Sequence, residues 1–233
     1  MATPIAEPIE YAPPLMAIRK RILNHEGRVR HMYRDVKGKM TVGIGFLLDT
    51  QSRVTELSWQ MKEGRRPVSS AVAVAEWNYL QGAVPYGKSY SPKFYDVKTR
   101  VELSDATIDR VFTSKLLRLH RDLVREFNTA GITFEHLPPP VQEAMFDMGW
   151  NMGAAFINKP REDGELDKDG KVLRMWFLLH EALSGKNWKT AAKESHRKWP
   201  IPEQRNLETR DLILRAIGFP LEQNSDIDEW RPE

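Results

Sequence analysis

Three side chains near the N-terminus, Glu26, Asp35 and Thr41, have the types and spacing that bond hydrolysis requires; they lie in NHEGRVRHMYRDVKGKMTVGIGFLLD, residues 24–49. Two carboxyl groups in unlike environments suit glycosidic bond cleavage, because one protonates the leaving oxygen while the other activates water or attacks the sugar. A hydroxyl group between them would help to position that water. The spacing allows this geometry without establishing it.

Each of these residues also has a structural explanation. A lone Glu26 is most often a solvated carboxylate, Asp35 with Gly38 matches a type I turn, and Thr41 suits a strand. Glu26, however, is the last side chain of a predicted helix. The negative end of the helix dipole disfavours an ionised carboxylate there, which suits a general acid.

The elements that position these residues follow from the apolar pattern. Apolar residues at helical spacing predict a helix from Leu15 to Glu26, which Gly27 ends. Residues 31–48 then predict a β-hairpin whose turn is at Lys37-Gly38. A mixed helical pattern occupies residues 53–82, and residues 84–96 are rich in Gly, Pro and aromatic residues and predict irregular structure.

The second half of the chain is predicted to be helical. Ser104 caps a long helix over residues 104–127, with an apolar stripe of Ile108, Val111, Phe112, Leu116, Leu119, Leu123, Val124 and Phe127. Four more helices are predicted at residues 140–152, 172–183, 187–199 and 202–218, ending at or near Gly185, Pro200 and Gly218 in the last three cases. A charged loop, residues 159–171, follows the first of these four.

Composition excludes several classes of protein. The 233 residues contain no cysteine, so disulfides and thiolate catalysis are excluded. A net charge of +3 is a mild bias, and no nucleic-acid-binding module accompanies it, so we expect no nucleic-acid partner. No apolar segment is long enough to span a membrane and the N-terminus does not resemble a secretory signal, so we expect synthesis in the cytoplasm.

The segment from Glu26 to residue 48 resembles the catalytic segment of the phage-type lysozymes, the muramidase family typified by T-even phage lysozyme. The matching features are HEG, eight residues between Glu26 and Asp35, five between Asp35 and Thr41, and TVGIGFLL. FDMGWNMGAAFIN, LLHEALSGKNWKTAAKESHRKW and PEQRNLETRDLI are similar to the later helices of the family. The resemblance covers most of residues 15–218.

The resemblance implies roles for individual residues. Glu26 would be the general acid, Asp35 would hold or activate the attacking water, and Thr41 would help to position it, with inversion at the sugar carbon. The implied substrate-binding residues are Gly45, Leu47, Trp150, Asn151 and Arg205. Trp150 would stack on a sugar, although a core aromatic is an equal alternative, and Arg205 would pair with Glu26 across the cleft.

The resemblance also implies a fold. We expect a mainly α (α+β) protein with a lysozyme-like two-lobed fold, in which a small β-hairpin lobe and a helical lobe are joined by a long helix. The expected organisation is an extended Pro-rich arm at 1–14 and one domain at 15–233: an N-terminal lobe 15–103 with an insertion at about 50–102, a linking helix 104–127, a helical lobe 128–220 and a tail 221–233. Residues 159–171 also form an insertion.

We expect no cofactor and no metal. ELDKDGK, residues 165–171, is similar to a calcium loop, but Trp176 stands where the bidentate Glu belongs. His25 and His31 flank the candidate site without a second set of ligands, so zinc is not implied, and we expect both to be surface or cleft-wall residues.

The expected function is hydrolysis of peptidoglycan by a monomeric muramidase that acts at the bacterial cell wall. It would reach the wall as a phage or prophage endolysin, or as an antibacterial effector injected into a neighbouring cell; the Pro-rich arm and the insertions favour the effector, with an immunity protein or a secretion component as partner. The alternative is a non-catalytic peptidoglycan-binding or structural protein with the same fold. A nucleic-acid-binding module is a third and weaker choice.

Overall fold

The computed structural model describes residues 13–83, 91–159, 176–198 and 201–218. These residues are mostly helical and include small antiparallel sheets, which agrees with the predicted α+β class. The helices are α1 Pro13–Glu26, α2 Gln51–Thr55, α3 Ser70–Ala83, α4 Pro92–Asp96, α5 Asp105–Thr129, α6 Pro139–Met152, α7 Phe177–Ser184, α8 Trp188–Glu194 and α9 Glu203–Arg215. The strands are β1 Val29–Arg34, β2 Met40–Gly43, β3 Phe46–Leu47, β4 Trp59–Met61 and β5 Val101–Leu103.

The chain divides into two compact units. The sheet unit is Leu23–Leu117, and the helical unit combines Met1–Ile22 with Arg118–Glu233. The division therefore falls within helices α1 and α5. All five strands belong to the sheet unit, whereas helices α6 to α9 belong to the helical unit.

Helix α1 ends as the sequence predicts. Glu26 is its last residue, and Gly27 adopts a left-handed conformation with φ of 68° while its N–H donates to the Leu23 carbonyl at 3.1 Å. Glycine adopts this conformation without steric cost, so it commonly follows a helix end. The helix begins at Pro13, two residues earlier than predicted. Residues 1–12 of the predicted arm lie outside the described residues.

The predicted hairpin forms and gains a third strand. Strands β1, β2 and β3 make an antiparallel sheet in that order, with β2 in the middle. Thr41 on β2 faces Tyr33 on β1 and Leu47 on β3. Directly opposed residues in an antiparallel sheet project to the same face, so these three side chains share one face.

The segment predicted as an insertion, residues 50–102, is an integral part of the sheet unit where it is described. Strands β4 and β5 pair antiparallel, with Trp59 opposite Leu103. The indole N–H of Trp59 donates to the Val54 carbonyl at 2.8 Å, and both side chains are buried. The periodicity did not predict this strand pair, and residues 92–96, predicted to be irregular, form helix α4 around the fully buried Tyr95.

The long helix predicted from Ser104 is confirmed as α5, which runs to Thr129. The Ser104 hydroxyl oxygen accepts the backbone N–H of Thr107 at 3.2 Å, as expected of an N-cap. Of the predicted stripe, the residues that are 2% exposed or less are Ile108, Phe112, Leu116, Leu123 and Phe127.

One predicted boundary in the helical unit is wrong, and another lies outside the described residues. Helix α8 ends at Glu194 rather than at Pro200, because the Ser195 hydroxyl donates to the Ala192 carbonyl at 2.8 Å and the backbone leaves the helix there. Helix α7 is described only from Phe177, and its predicted start at residue 172 lies outside the described residues. Helix α6 starts one residue earlier than predicted and ends at the predicted residue. Helix α9 ends at Arg215, three residues before the predicted end, and a 3₁₀ turn, Ala216–Gly218, follows it.

A buried ion cluster fixes helices α6 and α9 to the segment between α8 and α9. Asp147 is 1% exposed; its carboxylate accepts N–H groups from Arg205 at 2.8 Å and from Arg197 at 2.8 Å, and Arg21 lies 3.8 Å away. Burial by itself raises the pKa of the Asp147 carboxyl, but the hydrogen bonds and charge of Arg205, with the charges of Arg197 and Arg21, outweigh it and hold that pKa below its ordinary value.

We expect Asp147→Asn to lower the free energy of unfolding by roughly 3 kcal/mol or more, because it leaves the buried arginines without their counter-charge. A lowered folded-state pKa means that the ionised carboxylate stabilises the fold above the ordinary Asp pKa, and that this contribution is lost as the pH falls through the folded-state pKa. The difference between wild type and variant, measured by urea unfolding, should therefore be present at neutral pH and shrink in acid. Asp211→Asn, at a side chain that is 53% exposed, is the control and should change stability little. Equal effects of the two substitutions would contradict the assigned role of the cluster.

Candidate active site

Glu26 occupies the position that the sequence predicts for a general acid. It is the half-buried last residue of helix α1, and strand β1 begins only three residues later at Val29. The Glu26 carboxyl group is therefore carried by the residue at which the helix ends, immediately before the sheet begins.

Asp35 forms the turn that its structural explanation predicts. Its backbone carbonyl accepts the Gly38 N–H at 2.8 Å, and its side-chain oxygen Oδ1 accepts the N–H groups of Lys37 at 2.9 Å and Lys39 at 2.8 Å. These two backbone N–H groups hold the side chain in one orientation. A rigid, half-buried carboxylate is what the activation of a water molecule requires. The turn and the catalytic role are thus compatible.

Thr41 is 5% exposed, and its hydroxyl donates to the Lys39 carbonyl at 3.2 Å. That bond uses the hydroxyl proton and directs the oxygen lone pairs away from Lys39. The Thr41 oxygen is therefore arranged as an acceptor, which is the role that holding a water molecule demands. The two neighbours of Thr41 on the same sheet face are Tyr33 and Leu47.

Tyr33 links the predicted catalytic residues. Burial, with the added charges of Glu26 and Asp35, raises the pKa of the Tyr33 phenol to about 12. Both carboxylates must lie near the phenol to act on it in this way, and Thr41 is its cross-strand neighbour. The charges of Glu26 and Asp35 therefore both act on the Tyr33 phenol, which stays protonated at neutral pH and keeps its hydroxyl as a hydrogen-bond donor.

The turn after β2 carries the two other predicted residues of the sheet unit. Gly45 has a φ of 62°, a conformation that favours glycine, and its carbonyl accepts a hydrogen bond from Lys115 Nζ at 3.0 Å. Leu47 is 41% exposed and shares the face of Thr41. Leu47 is thus a direct cross-strand neighbour of Thr41, and Gly45 lies in the adjoining turn.

The remaining predicted residues lie in the helical unit. Trp150 and Asn151 are half-buried near the end of α6, and the Asn151 amide donates to the Asp147 carbonyl at 2.7 Å. Arg205, 5% exposed, binds Asp147 with Nε and Nη2. Asp147 is thus one fixed partner of Arg205, and the pairing of Arg205 with Glu26 stays a prediction.

Tyr33 and Lys115 are the site residues that were not predicted from the sequence. Tyr33 precedes Asp35 by two positions, so strand alternation alone would have placed both on one face. Lys115 interrupts the apolar stripe of α5, seven residues after Ile108 and one before Leu116. A single lysine inside an apolar stripe is therefore the signal that would have identified it.

Within residues 13–83, 91–159, 176–198 and 201–218, no group of three or more acidic or His side chains could hold a metal ion. No helix in those same ranges is both long and apolar enough to cross a membrane. The calcium-like segment 165–171 lies outside the described residues. His31 is not a surface residue: it is 9% exposed, with Nε2 2.8 Å from the Pro92 carbonyl, and burial lowers its pKa.

No protein-family model and no curated protein sequence matches this chain. The structure itself defines a mostly helical protein with a small antiparallel sheet, in agreement with an α+β fold.

Tyr33→Phe should make the protein less sensitive to alkaline pH. The phenol has an ordinary pKa of 10.0 and a folded-state pKa of about 12. Between these values the unfolded chain releases the proton and the folded chain retains it, so the free energy of unfolding falls as the pH rises. Urea unfolding between about pH 9 and pH 11 should show a shallower decline for the variant than for wild type. Tyr79→Phe, at a side chain that is 57% exposed, is the control, and an identical decline in all three proteins would exclude a buried Tyr33 phenol.

Proposed function

We propose that this protein is a muramidase, a glycoside hydrolase that cleaves the β-1,4 bond between N-acetylmuramic acid and N-acetylglucosamine in peptidoglycan, with inversion and without a cofactor. The observation that carries the proposal is that two carboxyl groups from different elements, Glu26 at the end of α1 and Asp35 in the turn after β1, both act electrostatically on the half-buried Tyr33 phenol. Their surroundings are unlike, as two carboxyl groups with opposite roles require.

The proposed mechanism assigns one task to each group. Glu26 donates its proton to the glycosidic oxygen as the bond to the sugar carbon breaks. Asp35 accepts a proton from a water molecule that attacks the opposite face of the sugar, while the Thr41 hydroxyl oxygen holds that water. Inversion needs space for the water, so we expect roughly 6.5–9.5 Å between the two carboxyl groups in a substrate complex.

The substrate-binding part of the proposal rests on the resemblance to phage-type lysozymes. Gly45 and Leu47 would line the sugar site from the sheet unit, and Trp150, Asn151 and Arg205 would contribute from the helical unit. The biological setting we propose is an injected antibacterial effector, with an endolysin as the alternative. A pull-down from the producing cell that recovers neither an inhibitor nor a secretion component would count against the effector.

A non-catalytic peptidoglycan-binding protein is the second candidate. The observation in its favour is that the Asp35 carboxylate already serves a structural purpose, since Oδ1 accepts two N–H groups of its own turn. Under this alternative, the turn alone would account for Asp35. Substitutions that keep the turn and remove the charge separate the two candidates.

Glu26→Gln should abolish cleavage of isolated peptidoglycan, because the amide cannot donate a proton to the leaving oxygen; we expect a loss of about 10²- to 10⁴-fold. The measurement is mass spectrometry of soluble products after borohydride reduction, which marks N-acetylmuramic acid at the new reducing ends. Glu56→Gln, at an exposed side chain in the same unit, is the control and should retain activity. Peptidoglycan sacculi that stay intact after incubation with the wild-type protein would favour the non-catalytic peptidoglycan-binding protein.

Asp35→Asn distinguishes catalysis from turn formation. The Asn side-chain oxygen can still accept the Lys37 and Lys39 N–H groups, so we expect stability within about 0.5 kcal/mol of wild type. Activity should nevertheless fall by at least about 10²-fold, since the amide is not a base. Asp35→Ala, which removes both hydrogen bonds, should lose stability as well. Full activity of Asp35→Asn would mean that Asp35 serves only to form its turn and has no catalytic role.

A further inference from the structure

Lys115 is a charged residue among apolar neighbours. It lies on helix α5 and lines a small cavity together with Gly43, Ile44, Phe46, Leu103, Ile108, Val111 and Phe112. Burying an ammonium group among such side chains costs free energy, and a Met of similar length would fill the position without that cost. We therefore expect the Lys115 ammonium group to have a role that offsets the cost of burying it.

Two interactions of the Lys115 ammonium group bear on its role. Nζ donates to the Gly45 carbonyl at 3.0 Å, which fixes the turn between β2 and β3. The second is electrostatic: burial lowers the pKa of Lys115 to about 8, and the charge of Glu26 acts in the opposite direction. The amine is thus protonated at neutral pH, and a Glu26 carboxylate stabilises that protonated form.

We propose that Lys115 is a positioning residue of the site, whose ammonium group holds the Gly45 turn in place and stabilises the carboxylate that Glu26 becomes when it gives up its proton. The inference rests on the proposed function, because it concerns proton donation by Glu26. Electrostatic coupling is mutual: if Glu26 stabilises the Lys115 cation, the cation stabilises ionised Glu26 by the same free energy.

The Lys115 cation would stabilise the transition state of proton donation by Glu26. As the glycosidic oxygen takes the proton, negative charge develops on Glu26, and a fixed cation that interacts electrostatically with Glu26 lowers the energy of that state. Tyr33 is a further titratable group of the sheet unit on which the charge of Glu26 acts.

The first experiment measures the coupling without using activity. Lys115 would be titrated by NMR, through its side-chain carbon next to the amine, in wild type and in Glu26→Gln. We expect the Lys115 pKa to be near 8 in wild type and lower by about 1 unit in the variant, because the supporting charge has been removed. The same Lys115 pKa in both proteins would overturn the proposal.

The second experiment measures kcat, KM and thermal stability at neutral pH for Lys115→Met and Lys115→Arg. Lys115→Met should lower kcat by roughly tenfold or more, with a smaller effect on KM, whereas Lys115→Arg should retain most of kcat because it keeps the cation and the donor. Lys93→Met, at an exposed lysine of the same unit, is the control.

Stability separates this role from a purely structural one. The lowered pKa means that the folded chain holds the proton less tightly than the unfolded chain, so removing the buried charge should leave the Tm unchanged or higher at neutral pH. A fall in kcat without a fall in Tm supports the proposal, and a parallel fall in both contradicts it. If wild type does not cleave peptidoglycan, the proposed function fails; if wild type cleaves and Lys115→Met is as active, the inference alone fails.

Discussion

The end of helix α1 is the constraint on which the candidate site depends. The left-handed conformation of Gly27 stops the helix at Glu26, and strand β1 starts at Val29. With a non-glycine residue at position 27, the backbone would be strained where the chain must turn towards the sheet. The sharp helix end therefore places Glu26 in the last turn of α1, three residues before the first strand.

Each compact unit contains buried charge that is compensated in its own way. In the helical unit one carboxylate, Asp147, balances the surrounding arginines Arg21, Arg197 and Arg205, and the arrangement ties the helices together. In the sheet unit burial lowers the pKa of Lys115 to about 8, while the charge of Glu26 acts in the opposite direction. A buried amine with a strongly shifted pKa is the behaviour expected near a functional site.

The local features of the fold were predictable, while its long-range pairings were not. The end of α1, the Asp35 turn, the Ser104 cap and the stripe of α5 all depend on residues within a few positions of one another. Strands β4 and β5 are only three residues each, and their partners are about 40 residues apart, so neither shows a periodic signal of its own. Helix α4 was missed for a similar reason, since packing around Tyr95 rather than propensity holds it.

The sequence by itself determined the identities and spacing of Glu26, Asp35 and Thr41, and the local turns that orient them, because helix stops and turn hydrogen bonds act over a few residues. Only the tertiary structure decided what surrounds these groups. Tyr33 lies opposite Thr41 because of strand register, and Lys115 reaches the Gly45 carbonyl because of the packing of a helix 70 residues further along the chain. Burial and through-space charge arise from that packing, so they set the electrostatics of the site in a way that residue spacing cannot specify.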